Sequence, residues 1–261
     1  MGLVGELARC ALDFLIQERC HACGASLDDA SGTAAAPLGE PAEVLRVGAF
    51  RVTTRLLCPA CANRVRTWRH AVRVAGPIAG MDASLAVFPA FVTDERLLVL
   101  IHLLKFARRE RIAPWLAQAM DRGLPSRALE HFHTPVLVPV PMERAARRRR
   151  GFNQAESIAR ALADRWRVPA LRCALVKVRP TRPQAELGRV QRLVNLRGAF
   201  QADARVVRGA RVLLVDDLVT TGATACACAD ALRHAGAVEV RVVCAGYRDA
   251  GHSLTTAFLQ S

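Results

Sequence analysis

Apolar residues recur along the chain with two spacings, and the alternation of these spacings predicts alternating strands and helices. Short apolar runs typical of buried strands are followed by stretches in which leucine, isoleucine and alanine recur at helical intervals. Strands separated by helices favour the α/β class, with a mainly parallel sheet flanked by helices. The predicted strands are 83–91, 134–141, 171–178, 210–215 and 238–246, and the predicted helices are 93–120, 153–166 and 222–236.

Local signals predict where these helices begin and end. Thr93 is a candidate cap for the first helix, and Pro114 is expected to break or restart it. Asn153, with Glu156 three residues later, forms the pattern of a capping box. Gly236 is expected to close the last helix.

The N-terminal residues 1–20 carry Glu6 and Asp13 within an apolar pattern. This arrangement indicates an amphipathic helix rather than a signal peptide. No apolar run approaches the roughly 20 residues that a membrane-spanning helix needs. The sequence therefore predicts a cytoplasmic protein without a transmembrane segment.

The chain contains nine cysteines, and four of them form two CxxC pairs. Because the number is odd and no export signal is apparent, a disulfide framework is not expected. Cys20 and Cys23, with Cys58 and Cys61, can place four thiolates around one structural zinc ion. His21 is an alternative ligand, and 28–43 is interpreted as a flexible insert. The other five cysteines are interpreted as core thiols: Cys10, Cys173, Cys226, Cys228 and Cys244.

The segment VLLVDDLVTTGAT (212–224) combines a buried strand, an acidic pair and a threonine-rich turn into a helix. The N–H groups at a helix N-terminus favour a phosphate, and small residues admit it close to the backbone. Two carboxylates one turn away can accept hydrogen bonds from a vicinal diol. A ribose 5-phosphate satisfies both halves, and the residues expected to bind it are Asp216, Asp217, Thr220, Thr221, Gly222, Ala223 and Thr224.

The formal net charge of +14 favours polyanionic partners, meaning phosphates or nucleic acid. A compositional bias towards arginine is an equally simple explanation, because arginine far outnumbers lysine.

The segment 212–224 resembles the motif of type I phosphoribosyltransferases that binds 5-phosphoribosyl 1-pyrophosphate (PRPP). PVPMERAARRRRGFNQAESIA (139–159) resembles the corresponding segment of the ComF family of competence proteins, and 102–106, 179–200 and the CxxC pairs match that family in the same order. The resemblance covers nearly the whole chain. It implies a type I phosphoribosyltransferase-like domain at 76–261, after an N-terminal helix and zinc-binding module at 1–75.

The resemblance also implies roles for individual residues. Mg²⁺ is expected to accompany PRPP, with Asp217 as the catalytic carboxylate and Asp216 serving the ribose, although either side chain can contact either hydroxyl. Segment 179–198 resembles a mobile lid. The residues expected to contact pyrophosphate or to belong to the lid are Lys105, Arg144, Arg150, Arg182 and Gln184.

Two functions remain open at this point. The first is an enzyme that transfers phosphoribose from PRPP to an acceptor for which the sequence carries no signature. The second is a non-catalytic protein that binds PRPP or single-stranded DNA. The resemblance implies a role in natural transformation for either, at the inner face of the membrane beside a competence helicase.

Overall fold

A computed structural model gives the fold of most of the chain. Its described residues separate into two compact units. The cysteine unit comprises the described residues of Met1–Arg66 with Asp94–Leu100, and the sheet unit comprises those of Thr67–Thr93 with Ile101–Ser261. The structure describes residues 20, 23–26, 43–47, 50–54, 58, 60–61, 64–68, 70–74, 85–106, 112–124, 128–181 and 195–248.

The main sheet of the sheet unit has five strands in the order β3–β4–β9–β8–β5. Four of them run parallel, and β3 pairs antiparallel with β4 at one edge. The buried strands are continuous apolar runs because helices cover both faces of such a sheet. The strands are β3 (Val72–Val74), β4 (Leu85–Val92), β5 (Val136–Pro139), β8 (Arg211–Val219) and β9 (Glu239–Tyr247).

Six helices occur among the described residues. Several follow a strand directly, so their N-termini lie near the carboxyl ends of the parallel strands. Their bounds are α1 (Glu95–Phe106), α2 (Ile112–Gly123), α3 (Arg144–Arg150), α4 (Gln154–Trp166), α5 (Ala204–Val207) and α6 (Ala223–His234). None of these helices is both long and apolar enough to cross a membrane.

A second, two-stranded sheet lies between α4 and β8 in the sequence. It pairs β6 (Leu175–Lys177) with β7 (Phe200–Ala202) in antiparallel register. Phe200 and Leu175 are buried and belong to the same hydrophobic core as α6. This short ribbon holds both ends of the segment between 178 and 199.

The cysteine unit contains an antiparallel hairpin of β1 (Glu43–Val47) and β2 (Phe50–Thr54). The hairpin falls in the long stretch between the two CxxC pairs. The interpretation of 28–43 as a flexible insert lies, apart from Glu43, outside the described residues.

Within the predicted helix 93–120, the described residues form the helices α1 and α2. Pro114 lies in the first turn of α2, where a missing N–H is tolerated. The prediction that Thr93 caps α1 is wrong. Asp94 accepts a hydrogen bond from the backbone N–H of Leu97 at 3.0 Å, whereas the Thr93 hydroxyl donates to the carbonyl oxygen of Tyr247 at 2.8 Å.

Three further expectations need correction. Residues 144–150, which were not among the predicted helices, form the short helix α3. Cys173 is exposed because it lies in the turn before β6, whereas Cys226, Cys228 and Cys244 are buried as predicted. Glu156 contacts arginines instead of completing a capping box, and Asn153 caps α4 alone.

Candidate functional site

The acidic pair lies on a part of β8 that extends beyond its neighbour β5. The predicted strand ended at residue 215, but β8 continues through Asp216 and Asp217 to Val219 by pairing with β9. On the side of β8 that faces β5, the strand pairing ends at Val215. There the backbone N–H of Val140 donates a hydrogen bond to the carbonyl oxygen of Val215 at 2.9 Å. The two carboxylates are therefore at the carboxyl edge of the sheet, where ligands of parallel α/β folds bind.

The two carboxyl groups influence one another. Burial raises the pKa of Asp216 well above its ordinary value, and the neighbouring charge of Asp217 raises it further. Lys105 acts in the opposite direction on this pKa. Asp216 keeps partial solvent access, and its Oδ1 accepts a hydrogen bond from the Asp217 backbone N–H at 2.9 Å.

Lys105 is the counter-charge of Asp217. Its Nζ lies 2.7 Å from Oδ2 of Asp217, and the two side chains are 25% and 9% exposed. The other oxygen, Oδ1, accepts from the backbone N–H of Leu218 at 2.8 Å. The approach of Lys105 does not have hydrogen-bond geometry, so within the described part of the chain Oδ2 has an ion-pair partner but no hydrogen-bond donor. The structure thus brings Lys105, predicted for pyrophosphate or the lid, to the acidic pair.

The threonine-rich turn connects β8 to α6. Gly222 occupies the N-cap position with φ 76°, and the Thr221 hydroxyl accepts a long 3.4 Å hydrogen bond from the N–H of Ala223. A Cβ on Gly222 would lie 2.8 Å from Cβ of Val74. Glycine is therefore required here by backbone conformation and by close packing against β3. Thr220, Thr221 and Thr224 are partly exposed, unlike Gly222 and Ala223, which are buried.

A chain of hydrogen bonds connects the N-terminus of α4 to the acidic strand. The Asn153 side chain donates through Nδ2 to the carbonyl oxygen of Val140 at 3.0 Å and accepts through Oδ1 from the Ala155 N–H at 3.1 Å. Val140 is itself bonded to Val215, the residue before Asp216. Asn153 therefore caps the helix and also holds it beside the acidic pair.

The arginines of α3 differ in their surroundings. None of its side chains is buried. Arg144 begins the helix. Glu156 pairs with Arg147 at 3.1 Å and with Arg172 at 3.3 Å. Arg150 is partly buried and donates to Oε1 of Gln154 at 3.4 Å. Of the two arginines predicted to contact pyrophosphate, Arg150 thus lies at the N-terminus of α4 and Arg144 at the start of α3.

The base of the predicted lid is fixed, although Arg182 and Gln184 lie outside the described residues. Arg179 donates through Nη2 to the carbonyl oxygens of Asn195 and Arg197 at 2.9 and 2.8 Å. These bonds join the two ends of the segment beyond the β6–β7 ribbon.

Sequence reasoning missed Lys177 and Gln154. The Lys177 side chain is only 12% exposed, and its Nζ lies 2.7 Å from Oγ1 of Thr181 and 3.7 Å from Oε2 of Glu143. It therefore connects Thr181, at the start of the predicted lid, to Glu143 in the turn after β5. A lysine at the end of an apolar strand was the available signal for Lys177, whereas nothing in the pattern distinguished Gln154 from a helix-surface residue.

The four predicted ligand cysteines come together in the cysteine unit. The Sγ atoms of Cys20, Cys23, Cys58 and Cys61 all lie within 4.8 Å of one another, so they can hold a metal ion. Burial and neighbouring thiols raise the pKa of Cys61 to about 12. The raised pKa keeps this thiol protonated at neutral pH unless a bound cation displaces the proton, as metal binding to cysteine does.

Comparison with known proteins adds independent information. A family model described as "Phosphoribosyl transferase domain" matches residues 133–255, which include the acidic pair, the threonine turn and α4. The Escherichia coli (strain K12) DNA utilization protein YhgH is 32% identical over 198 residues, which cover 73% of this chain and 78% of that protein.

Two other relatives match over shorter regions. The Salmonella typhimurium DNA utilization protein YhgH is 37% identical over 153 residues, 56% of this chain, and the chain spans 65% of that relative's length. Competence protein F of Haemophilus influenzae is 31% identical over 152 residues, covering 57% of this chain and 66% of that protein.

The Lys105–Asp217 ion pair predicts a strong energetic coupling. Lys105→Met leaves a buried carboxylate without its counter-charge, so we expect a loss of about 2–3 kcal/mol in the free energy of unfolding. The double variant Lys105→Met/Asp217→Asn should lose less than the sum of the single variants, with a coupling of at least about 1 kcal/mol. Urea unfolding at pH 7 measures these values. As a control, Arg205→Met breaks the exposed Arg205–Asp203 pair and should change the stability far less than Lys105→Met, because solvent screens that pair. Additivity of the Lys105 and Asp217 changes would contradict the coupling.

The raised pKa of Asp216 predicts a pH-dependent stability. Because the folded pKa exceeds the unfolded one, this group favours folding at low pH, and its contribution is lost as the pH rises from about 4 towards the folded pKa. Asp216→Asn removes the ionisable group. We therefore expect the Tm of the variant to exceed that of the wild type at pH 7, by about 2–4 °C for each kcal/mol gained in the free energy of unfolding. This difference in Tm should shrink towards pH 4. Calorimetric scans between these pH values measure it, and a pH-independent difference would contradict the assignment.

Proposed function

We propose a function from the premise that the sequence similarity establishes: the chain belongs to the ComF family of phosphoribosyltransferase-like proteins. It binds PRPP at the carboxyl edge of the main sheet, between the acidic pair and the N-termini of α6 and α4. Phosphoribosyl transfer from PRPP to an acceptor is the activity that this site suits best.

One observation carries the proposal. Two adjacent carboxylates lie on the free edge of β8, and the same strand leads through a threonine turn into the N-terminus of a 12-residue helix. The positive end of the α6 dipole and the partly exposed threonine hydroxyls favour the 5-phosphate. Asp216 and Asp217 accept hydrogen bonds from the ribose hydroxyls.

The chain's own residues supply positioning and charge. The guanidinium of Arg150 and the N-terminus of α4 neutralise the pyrophosphate as the bond to C1 of the ribose breaks. Asp217, as the proposed catalytic carboxylate, stabilises the positive charge that develops on the sugar. Lys105, beside Asp217, is placed to balance the charge of the pair before the ligand arrives.

Magnesium fits the same donor set. The carboxylate oxygens of Asp216 and Asp217 are hard ligands of the kind that Mg²⁺ prefers, and Oδ2 of Asp217 accepts no hydrogen bond from the residues whose structure is described. Bound together with PRPP, the ion would neutralise phosphate charge and orient the ribose hydroxyls.

The biological setting follows from the names of the relatives. They are a DNA utilization protein and a competence protein, so we propose that this chain also acts in DNA uptake. Incoming single-stranded DNA and a competence helicase at the inner face of the membrane are the partners that this role implies.

A second candidate function is binding of nucleic acid without catalysis. Helix α3 has no buried side chain and carries five arginines in seven residues. Exposed guanidinium groups of this density favour a phosphate backbone. Arg148 is exposed on this surface, whereas Arg147 is paired with Glu156.

We further propose that residues 1–75 form a zinc-binding module and 76–261 the phosphoribosyltransferase-like domain. Tetrahedral Zn–S bonds of about 2.3 Å place sulfur atoms about 3.8 Å apart. Sγ of Cys23 and Sγ of Cys58 are 3.8 Å apart, which fits this requirement. Four thiols leave no coordination position for a substrate, so the zinc is structural.

Calorimetry with PRPP and Mg²⁺ tests the proposed function. The wild-type chain should bind PRPP, and Asp216→Asn/Asp217→Asn should weaken binding by at least about a hundredfold, because several hydrogen bonds to charged groups are lost. Pyrophosphate release from PRPP, with candidate bases or DNA as acceptors, then tests catalysis. The matched control is Asp164→Asn, since Asp164 is an exposed carboxylate on α4.

Equal PRPP affinity in the wild type and the double variant would contradict the placement of the ribose. A wild-type chain that binds a single-stranded oligonucleotide but not PRPP would instead establish the second candidate.

The zinc assignment predicts about one zinc per chain by elemental analysis. Cys20→Ser should lower this content and destabilise the N-terminal module, because metal binding contributes directly to the folding of such modules. Cys173→Ser changes an exposed cysteine outside the cluster and should keep its zinc. Zinc-free wild-type protein with unchanged stability would refute the assignment.

A further inference from the structure

Gln154 is a buried polar side chain with an unmet hydrogen-bonding group. It is the first residue of α4, and only 3% of its surface is exposed. Its Nε2 has no hydrogen-bond partner in the described part of the chain. Buried amide groups without a partner are rare in proteins, so this one calls for an explanation.

Arg150 determines which way the amide faces. A guanidinium can only donate hydrogen bonds, so the 3.4 Å contact with its Nη1 identifies the nearer amide atom as the oxygen, Oε1. The Nε2 group with its two hydrogens is consequently on the other side. It is a buried donor without a partner, in a side chain that contacts the guanidinium of Arg150.

The position of Gln154 indicates the ligand. Its neighbour Asn153 is bonded to Val140, which is bonded to Val215, immediately before Asp216. Gln154 therefore lies at the same edge of the sheet as the acidic pair. A free N–H donor, a guanidinium and the positive end of a 13-residue helix coincide there, and all three favour an anion.

We propose that Gln154 is a pyrophosphate-binding residue: its Nε2 donates a hydrogen bond to a phosphoryl oxygen, and its Oε1 positions Arg150 to contact the same group. This inference rests on the proposed function and deepens it. It assigns the pyrophosphate to the N-terminus of α4 rather than to the exposed arginines at the middle of α3.

The test compares two partial ligands by calorimetry on the full chain: pyrophosphate with Mg²⁺, and ribose 5-phosphate. Gln154→Met keeps the approximate size of the side chain and the net charge but removes both the Nε2 donor and the Oε1 acceptor that positions Arg150. We expect pyrophosphate affinity to fall by about tenfold or more, since a hydrogen bond to a charged group is lost. Affinity for ribose 5-phosphate should change by less than about twofold, and the Tm should not fall, because an unpaired buried amide has been removed.

Gln154→Glu provides a second, nearly isosteric variant. Its carboxylate can still accept from Arg150 but repels phosphate, so pyrophosphate binding should weaken more than in Gln154→Met. Unchanged pyrophosphate affinity in both variants would overturn the inference. So would a parallel loss of both ligands with a lowered Tm, since that pattern indicates a structural role.

The wild-type measurements separate the two levels of the proposal. Binding of ribose 5-phosphate without pyrophosphate would overturn the role of Gln154 while leaving the ribose site intact. Binding of neither ligand would overturn the proposed function, and the role of Gln154 with it.

Discussion

Two carboxylates placed side by side at the end of a buried strand are the constraint on which this structure depends. Asp216 and Asp217 follow an apolar run in β8, and their mutual repulsion raises the pKa of Asp216 beyond the effect of burial. The ammonium group of Lys105, 2.7 Å from Oδ2 of Asp217, offsets part of this repulsion. Neighbouring carboxyl groups at a buried strand end are costly, and groups with strongly shifted pKa values cluster at functional sites. The presence of this costly pair of carboxyl groups is the physical reason for proposing that the chemistry occurs here.

The scaffold positions the other groups around the pair. Because β4, β9, β8 and β5 are parallel, their carboxyl ends lie at one edge, and helices begin where strands end. The chain of hydrogen bonds from Asn153 to Val215 fixes α4 relative to β8, whereas α6 follows β8 directly. Two positive helix ends thus flank two negative side chains. A ligand that carries hydroxyl groups between two phosphate groups matches this order of charges.

Much of this could be predicted from the sequence, since strand runs and helical periodicity directly reflect burial. The strands of the parallel sheet, the start of α4 at Asn153 and the clustering of four cysteines followed from local patterns. Contacts between segments that are distant in the sequence could not be predicted from local patterns. The approach of Lys105 to Asp217 and of Lys177 to Glu143 depends on how helices pack on the sheet, which periodicity does not encode. Helix α3 was not predicted because a run of arginines carries no apolar periodicity. The exposure of Cys173 was not predicted because the turn before β6 was interpreted as part of a strand.

A crystal structure of the chain with PRPP and Mg²⁺ tests the central claim most directly. The account predicts density for the 5-phosphate at the turn 220–224, for the ribose hydroxyls at the carboxylates of Asp216 and Asp217, and for pyrophosphate at the start of α4. A ligand bound elsewhere, with both carboxylates still enclosed and Lys105 still paired to Asp217, would contradict it.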